Sequence, residues 1–108
     1  MADDVDSKIQ EMVRRIVEAV HPDKVILFGS HARGEAGPDS DVDLLIVAPS
    51  DAPSFERTPA LYGAIGVMGI PKDLIWRTPE EIEEWSNVRS HFLTKVVREG
   101  KVVYERAA

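Results

Sequence analysis

Cysteine is absent from the 108 residues, which excludes a disulfide framework and any zinc or iron–sulfur centre held by thiolates. Long apolar runs are missing too. None approaches the roughly 20 residues of a transmembrane helix, and the opening Met1-Ala2-Asp3-Asp4 is acidic where a secretory signal is basic. The expectation is a cytoplasmic protein with no membrane association. Basic residues are in deficit, 13 Lys and Arg against 19 Asp and Glu, for a net charge of −6. Duplex nucleic acid is gripped by cations that neutralise its phosphates, so direct nucleic-acid binding is not expected. Internal repeats, low-complexity tracts and an interdomain linker are also lacking. With 44% hydrophobic residues the chain can bury one core, and a single domain over residues 1–108 is predicted.

Within that frame the apolar periodicity is strong. Ile9, Met12, Val13, Ile16, Val17 and Val20 follow the spacing of a one-faced helix over Ser7 to Val20. Ser7 with Gln10 reads as its capping box, and Pro22 closes the segment. Val25 to Phe28 is a short continuous apolar run of the kind found in buried strands. Asp41 to Ala48 predicts a second strand, and Asp73 to Trp76 a third. A helix is expected over Pro59 to Gly69 because the segment lies between two strands, although its three glycines weaken the local preference. Thr78-Pro79-Glu80-Glu81 is a helix start, followed by helical pattern to Gly100 with a break near Ser86 and Asn87. Val102 to Tyr104 adds an edge strand. The order predicts an α/β fold, a small mixed β-sheet flanked by helices.

Chemistry concentrates between Gly29 and Asp43. Gly29-Ser30 directly follows a buried strand, where glycine lets the backbone approach a ligand closely and a short helix from Ser30 would aim amide groups and a hydroxyl at phosphate oxygens. Asp41 and Asp43 stand two apart at a strand start, so both carboxylates point to one face while Val42 points to the other. Two such charges repel unless a divalent cation lies between them, and oxygen ligation suits magnesium. Asp73 opens the third strand and would join them if that strand lies beside the second. Three carboxylates with nucleotide phosphates can hold two metals about 3.5 to 4 Å apart, an arrangement suited to nucleotidyl transfer.

Gly29-Ser30, ten residues, then Asp41-Val42-Asp43 resembles the signature of the polymerase-β-like nucleotidyltransferase superfamily. The strings Phe28-Gly29-Ser30-His31-Ala32-Arg33-Gly34 and Ser40-Asp41-Val42-Asp43-Leu44 are similar to those of the minimal nucleotidyltransferases, the MNT proteins. The likeness runs loosely over nearly the whole chain and tightly over residues 28–47. It implies that Asp41, Asp43 and Asp73 are catalytic and bind two metal ions, and that Gly29, Ser30, Arg33 and Ser40 bind the nucleotide. It further implies ATP as substrate and a HEPN-type ribonuclease toxin as partner, neutralised by transfer of AMP to a tyrosine within a hetero-oligomer. The small size predicts that the acceptor brings its own binding surface. A catalytically inactive antitoxin that acts by binding alone, and transfer to a small molecule, are the competing expectations.

Other residues have plainer readings. Arg33 has Glu35 and Asp39 as surface partners in competition with a phosphate, and His31 is as readily a solvent-facing loop residue as a phosphate contact. His21 and His91 have no ligand spacing between them. Trp76, Trp85 and Phe92 read as core anchors and not as base-stacking platforms, because each lies within an apolar pattern. Lys72 is an unusual neighbour for Asp73 in a buried strand. The Glu80 to Glu84 run suits a solvated helix start.

Overall fold

A computed structural model describes residues 2–37, 40–85 and 92–107, with the side chains of 2–4 left aside. The elements are α1 (Ala2–Val20), β1 (Lys24–Phe28), α2 (Ser30–Arg33), β2 (Val42–Val47), α3 (Ser54–Ile65), β3 (Lys72–Arg77), α4 (Pro79–Trp85), α5 (Phe92–Glu99) and β4 (Lys101–Glu105). The four strands form one sheet in the order β3-β2-β1-β4. β1 runs antiparallel to β2 and to β4, whereas β2 and β3 are parallel. The expected mixed sheet with flanking helices is what the chain forms.

Period-two alternation splits the sheet into two faces. Val25, Leu27, Val42, Leu44, Ile46, Leu74 and Trp76 pack in one cluster with Ile9, Met12 and Ile16 of α1 and Leu61 and Ile65 of α3. Ile26, Leu45 and Val47 meet Leu93 and Val96 of α5 on the other face. Because Asp43 alternates with Val42 and Leu44, its side chain belongs to the α5 side of the sheet. No helix among the described residues is long and apolar enough to cross a membrane.

Four sequence-based expectations change. Helix α1 starts at Ala2, so Ser7 lies inside it and cannot be its cap. The amphipathic stripe extends upstream through Val5, which packs on the core, and that burial carries the helix past the local capping signal. Helix α3 spans Ser54–Ile65 instead of starting at Pro59, which sits inside it. Arg57, Leu61 and Ile65 are buried at a spacing of four, and this stripe outweighs the amide hydrogen bond that proline forgoes. Gly66, at φ 74°, ends the helix, so Val67 and Met68 fall beyond it. Trp85 and Phe92 are also not core anchors, being 38% and 50% exposed. Trp76 is one, with its indole N–H donating to Ala48 O at 2.9 Å.

The start of α4 is the reciprocal cap that Thr78 and Glu81 predict: Thr78 N donates to Glu81 Oε1 at 2.7 Å and Glu81 N to Thr78 Oγ1 at 3.2 Å. Gly100 N donates to Val96 O at 2.8 Å, closing α5 as expected. A Cβ at Gly100 would overlap Ile26 Cγ2 and Val96 O, so glycine here lets the helix end lie directly on β1. The expected break near Ser86 and Asn87, and His91, lie outside the described residues.

Candidate active site

The site grows from the register of three neighbouring strands. Asp43 on β2 is the partner of Phe28 on β1 and of Asp73 on β3. The sheet therefore lines up Phe28, Asp43 and Asp73 side by side, and the juxtaposition of Asp43 with Asp73 follows from a parallel pairing that the sequence could only suppose. Val42 N donates to Pro71 O at 2.9 Å, which starts this pairing one residue after Asp41. Asp41 is exposed just before the strand, Asp43 is half-buried and Asp73 is exposed.

Negative charge is in excess here. Burial, then the Asp73 and Asp41 carboxylates, push the Asp43 carboxyl above its ordinary value, with His31 and Arg33 pulling partly the other way. Among the described residues no three acidic or histidine side chains converge closely enough to enclose one metal ion. The all-oxygen donor set, with mutual repulsion raising its most buried member, nonetheless has the chemistry of a hard divalent-cation site.

Gly29 serves this carboxylate in a way the sequence does not disclose. Its φ is 76°, a region that side-chain-bearing residues rarely adopt, and a Cβ placed on it would overlap the Asp43 carboxylate. The glycine therefore leaves the space that Asp43 occupies. Ser30 follows as the first residue of the one-turn α2 and is half-buried, but it does not line the cavity that the carboxylates border, and Gly34 at φ 73° caps the turn. Ala32 N and Arg33 N both donate to Gly29 O, at 3.1 and 3.2 Å.

The remaining motif residues hold the loop. Ser40 Oγ accepts from Gly37 N at 2.8 Å, and His31 Nε2 lies 3.3 Å from Ser40 O. Arg33 pairs with Glu35 at 3.2 Å with both side chains largely exposed, an ion pair weak enough for a phosphate to displace. Asp39 lies outside the described residues. Tyr62 braces the third carboxylate: its hydroxyl donates to Lys72 O at 3.2 Å and accepts from Leu74 N at 3.1 Å, so it spans Asp73 on the outer edge of β3. Lys72 extends over the Tyr62 ring, 5.8 Å from its centre, which accounts for a lysine in a strand that proves to be at the sheet edge.

A cavity of about 880 Å³ opens over these residues, lined by Gly29, Ala32, Arg33, Asp43 and Asp73 on one side. The opposite wall comes from α5 and includes Phe92, Lys95, Val96 and Glu99. Those four were not singled out from the sequence as ligand contacts, although their i, i+3, i+4, i+7 spacing places them on one helix face.

A family described as the nucleotidyltransferase domain matches residues 7–101, and the chain belongs to it. A solved protein from Sulfolobus solfataricus, itself assigned only provisionally as a nucleotidyltransferase, is similar in fold. The match has a TM-score of 0.64 at 21% identity and covers 95% of this chain and 87% of that one. No curated protein matches the sequence. The family and the fold together support nucleotidyl transfer as the general activity.

Proposed function

We propose that the chain is a magnesium-dependent nucleotidyltransferase that moves AMP from ATP to a hydroxyl, a tyrosine of a partner HEPN ribonuclease toxin, and thereby acts as its antitoxin. The observation that carries the transfer chemistry is the in-register pairing of Asp43 with Asp73 beside Gly29 at the floor of the cavity. The toxin and the tyrosine rest on the resemblance of the Gly29-Ser30 and Asp41-Val42-Asp43 strings to MNT proteins.

Asp41, Asp43 and Asp73 would hold the divalent cations, which supply charge neutralisation to the nucleotide phosphates and the acceptor oxygen. Gly29 and Ser30, with Arg33 and Ser40 from the same loop, would receive the phosphates. In the reaction the acceptor hydroxyl gives up its proton to solvent water and its oxygen bonds to the α-phosphorus. The bond from that phosphorus to the bridging oxygen breaks, and pyrophosphate leaves with the electron pair. The chain's contribution is to hold donor and acceptor in line and to place the carboxylates where charge must be balanced.

The test is the intact mass of the proposed partner, the product of the neighbouring gene, after incubation of the two proteins with magnesium and ATP. A gain of one or more AMP units is expected, and it disappears when Asp41→Asn and Asp43→Asn are combined. An unmodified partner in a stable complex would instead establish neutralisation by binding alone. Modification of a free small acceptor without any protein partner would move the activity to small-molecule transfer.

A further inference from the structure

The α5 wall of the cavity has no role in the transfer chemistry above, yet it faces the carboxylates. Val96 is 4% exposed and fastens the helix to the sheet, together with Leu93. Phe92 behaves differently. Its ring is held edge-on against Phe28, with centroids 5.6 Å apart and planes at 76°, while half of its surface stays open. A ring fixed by one partner and exposed at a cavity mouth is a platform for another flat ring.

Lys95, one helical turn further along and exposed, lines the same cavity. No carboxylate pairs with it among the described residues, and Glu99, four positions on, lines the cavity without bridging to it. In a chain of net charge −6, this is a cation set across from Asp43 and Asp73, with Arg33 the other cation on the lining. The wall thus presents an open aromatic face and a free ammonium about 5 Å apart along the helix axis. A nucleotide uses both, its base on the ring and its phosphates on the ammonium. An acceptor tyrosine would use the ring and leave the cation without an anion.

We propose that α5 forms the outer wall of the donor site, with Phe92 stacking on the nucleobase and Lys95 contacting the phosphate chain. This rests on the nucleotidyl-transfer reading and adds the residues that grip the donor. Because every base has a π-face, a phenylalanine platform is tolerant of base identity.

Calorimetric titration of the whole chain with magnesium–ATP and with magnesium–tripolyphosphate separates the two contacts. Phe92→Leu keeps apolar bulk against Phe28, and it is expected to weaken ATP about tenfold while leaving tripolyphosphate unchanged. Lys95→Gln, at an exposed position with no bearing on the core, is expected to weaken both probes about tenfold and to flatten their salt dependence. Variants that bind ATP as wild type does would overturn the α5 assignment and leave nucleotidyl transfer standing. Equal weakening of both probes by Phe92→Leu would overturn the stacking role. If wild type binds neither probe, the nucleotidyl-transfer reading falls and takes the α5 assignment with it.

Discussion

Asp43→Asn is expected to transfer nucleotide about a hundred- to a thousandfold more slowly than wild type, and without metal to melt at a higher temperature. The first effect follows from position: Asp43 lies between Phe28 and Asp73 in the sheet, with the cavity above it. Asparagine keeps the shape and removes the charge, and loss of one preorganised electrostatic contact to the reacting groups costs about this much in rate. The second effect follows from what that charge costs the fold. Burial and the carboxylates of Asp73 and Asp41 raise the Asp43 carboxyl above its reference value of 3.8. The folded protein therefore holds this proton more readily than the unfolded chain, and stability declines as pH rises from the reference value through the raised one. Above that window the penalty is fully present, and the asparagine variant is free of it. Scanning calorimetry in a chelator is expected to show the two proteins converging at low pH and separating as pH rises. A variant that melts below wild type at neutral pH, or that keeps its transfer rate, would contradict this reading of Asp43.

Arg57→Ala is expected to lose about 3 kcal/mol of stability, a fall of some 12 to 24 °C in melting temperature for a domain of this size. Arg57 is 7% exposed, an unusual place for a guanidinium, and its Nε and Nη1 both find acceptors. Nε donates to Ala52 O at 2.9 Å, and Nη1 donates to Glu81 Oε1 at 2.7 Å and to Trp76 O at 3.5 Å. One side chain so joins the start of α3, the end of β3 and the cap of α4. Burial acts to raise the Glu81 carboxyl, but the Arg57 hydrogen bond and charge, with the Thr78 amide, bring it below the ordinary carboxylate range. That contribution is present above the unfolded carboxylate value and is lost as pH falls through the lowered one. Removing Arg57 takes away its share, leaving only that of Thr78, and deprives the Ala52 and Trp76 carbonyls of this donor. Thermal and urea unfolding measure the loss. A change below about 1 kcal/mol would show that water replaces the guanidinium, as at an exposed ion pair.

The two kinds of site residue were unequally legible in the sequence. Gly29-Ser30 and Asp41-Val42-Asp43 could be read because each combines a local geometry with a chemical purpose: a glycine after a buried run, and two acids at a spacing that puts them on one face. Asp73 could be named but not placed, since only the parallel pairing of β2 with β3 sets it beside Asp43. That Phe92 and Lys95 line the cavity was hidden for a related reason: Phe92 reads as a core anchor, and nothing marks Lys95. Periodicity says which residues share a face of α5, but not that part of this face overhangs a cavity, and Leu93 and Val96 nearby make the whole stretch look like core. Arg57 belongs to the same class, because a charged residue amid an uncertain helix gives no hint of the carbonyls waiting for it. The strands came through almost intact, as their apolar runs are dense and bounded by Gly, Pro and Asp. Helix starts fared less well: Ser7 and Pro59 carry start signals that burial of the preceding turn overrides, whereas the signal at Thr78 is honoured because both of its hydrogen bonds form.

The proposed function depends on a metal–nucleotide complex held by the three aspartates, and manganese in place of magnesium would make that complex visible. Water-proton relaxation of manganese–ATP, titrated with the protein, is expected to rise to saturation with wild type. The rise is lost when Asp41→Asn and Asp43→Asn are combined and weakened by Asp73→Asn, with all variants folded by calorimetry. The same enhancement in the double variant as in wild type would contradict the site.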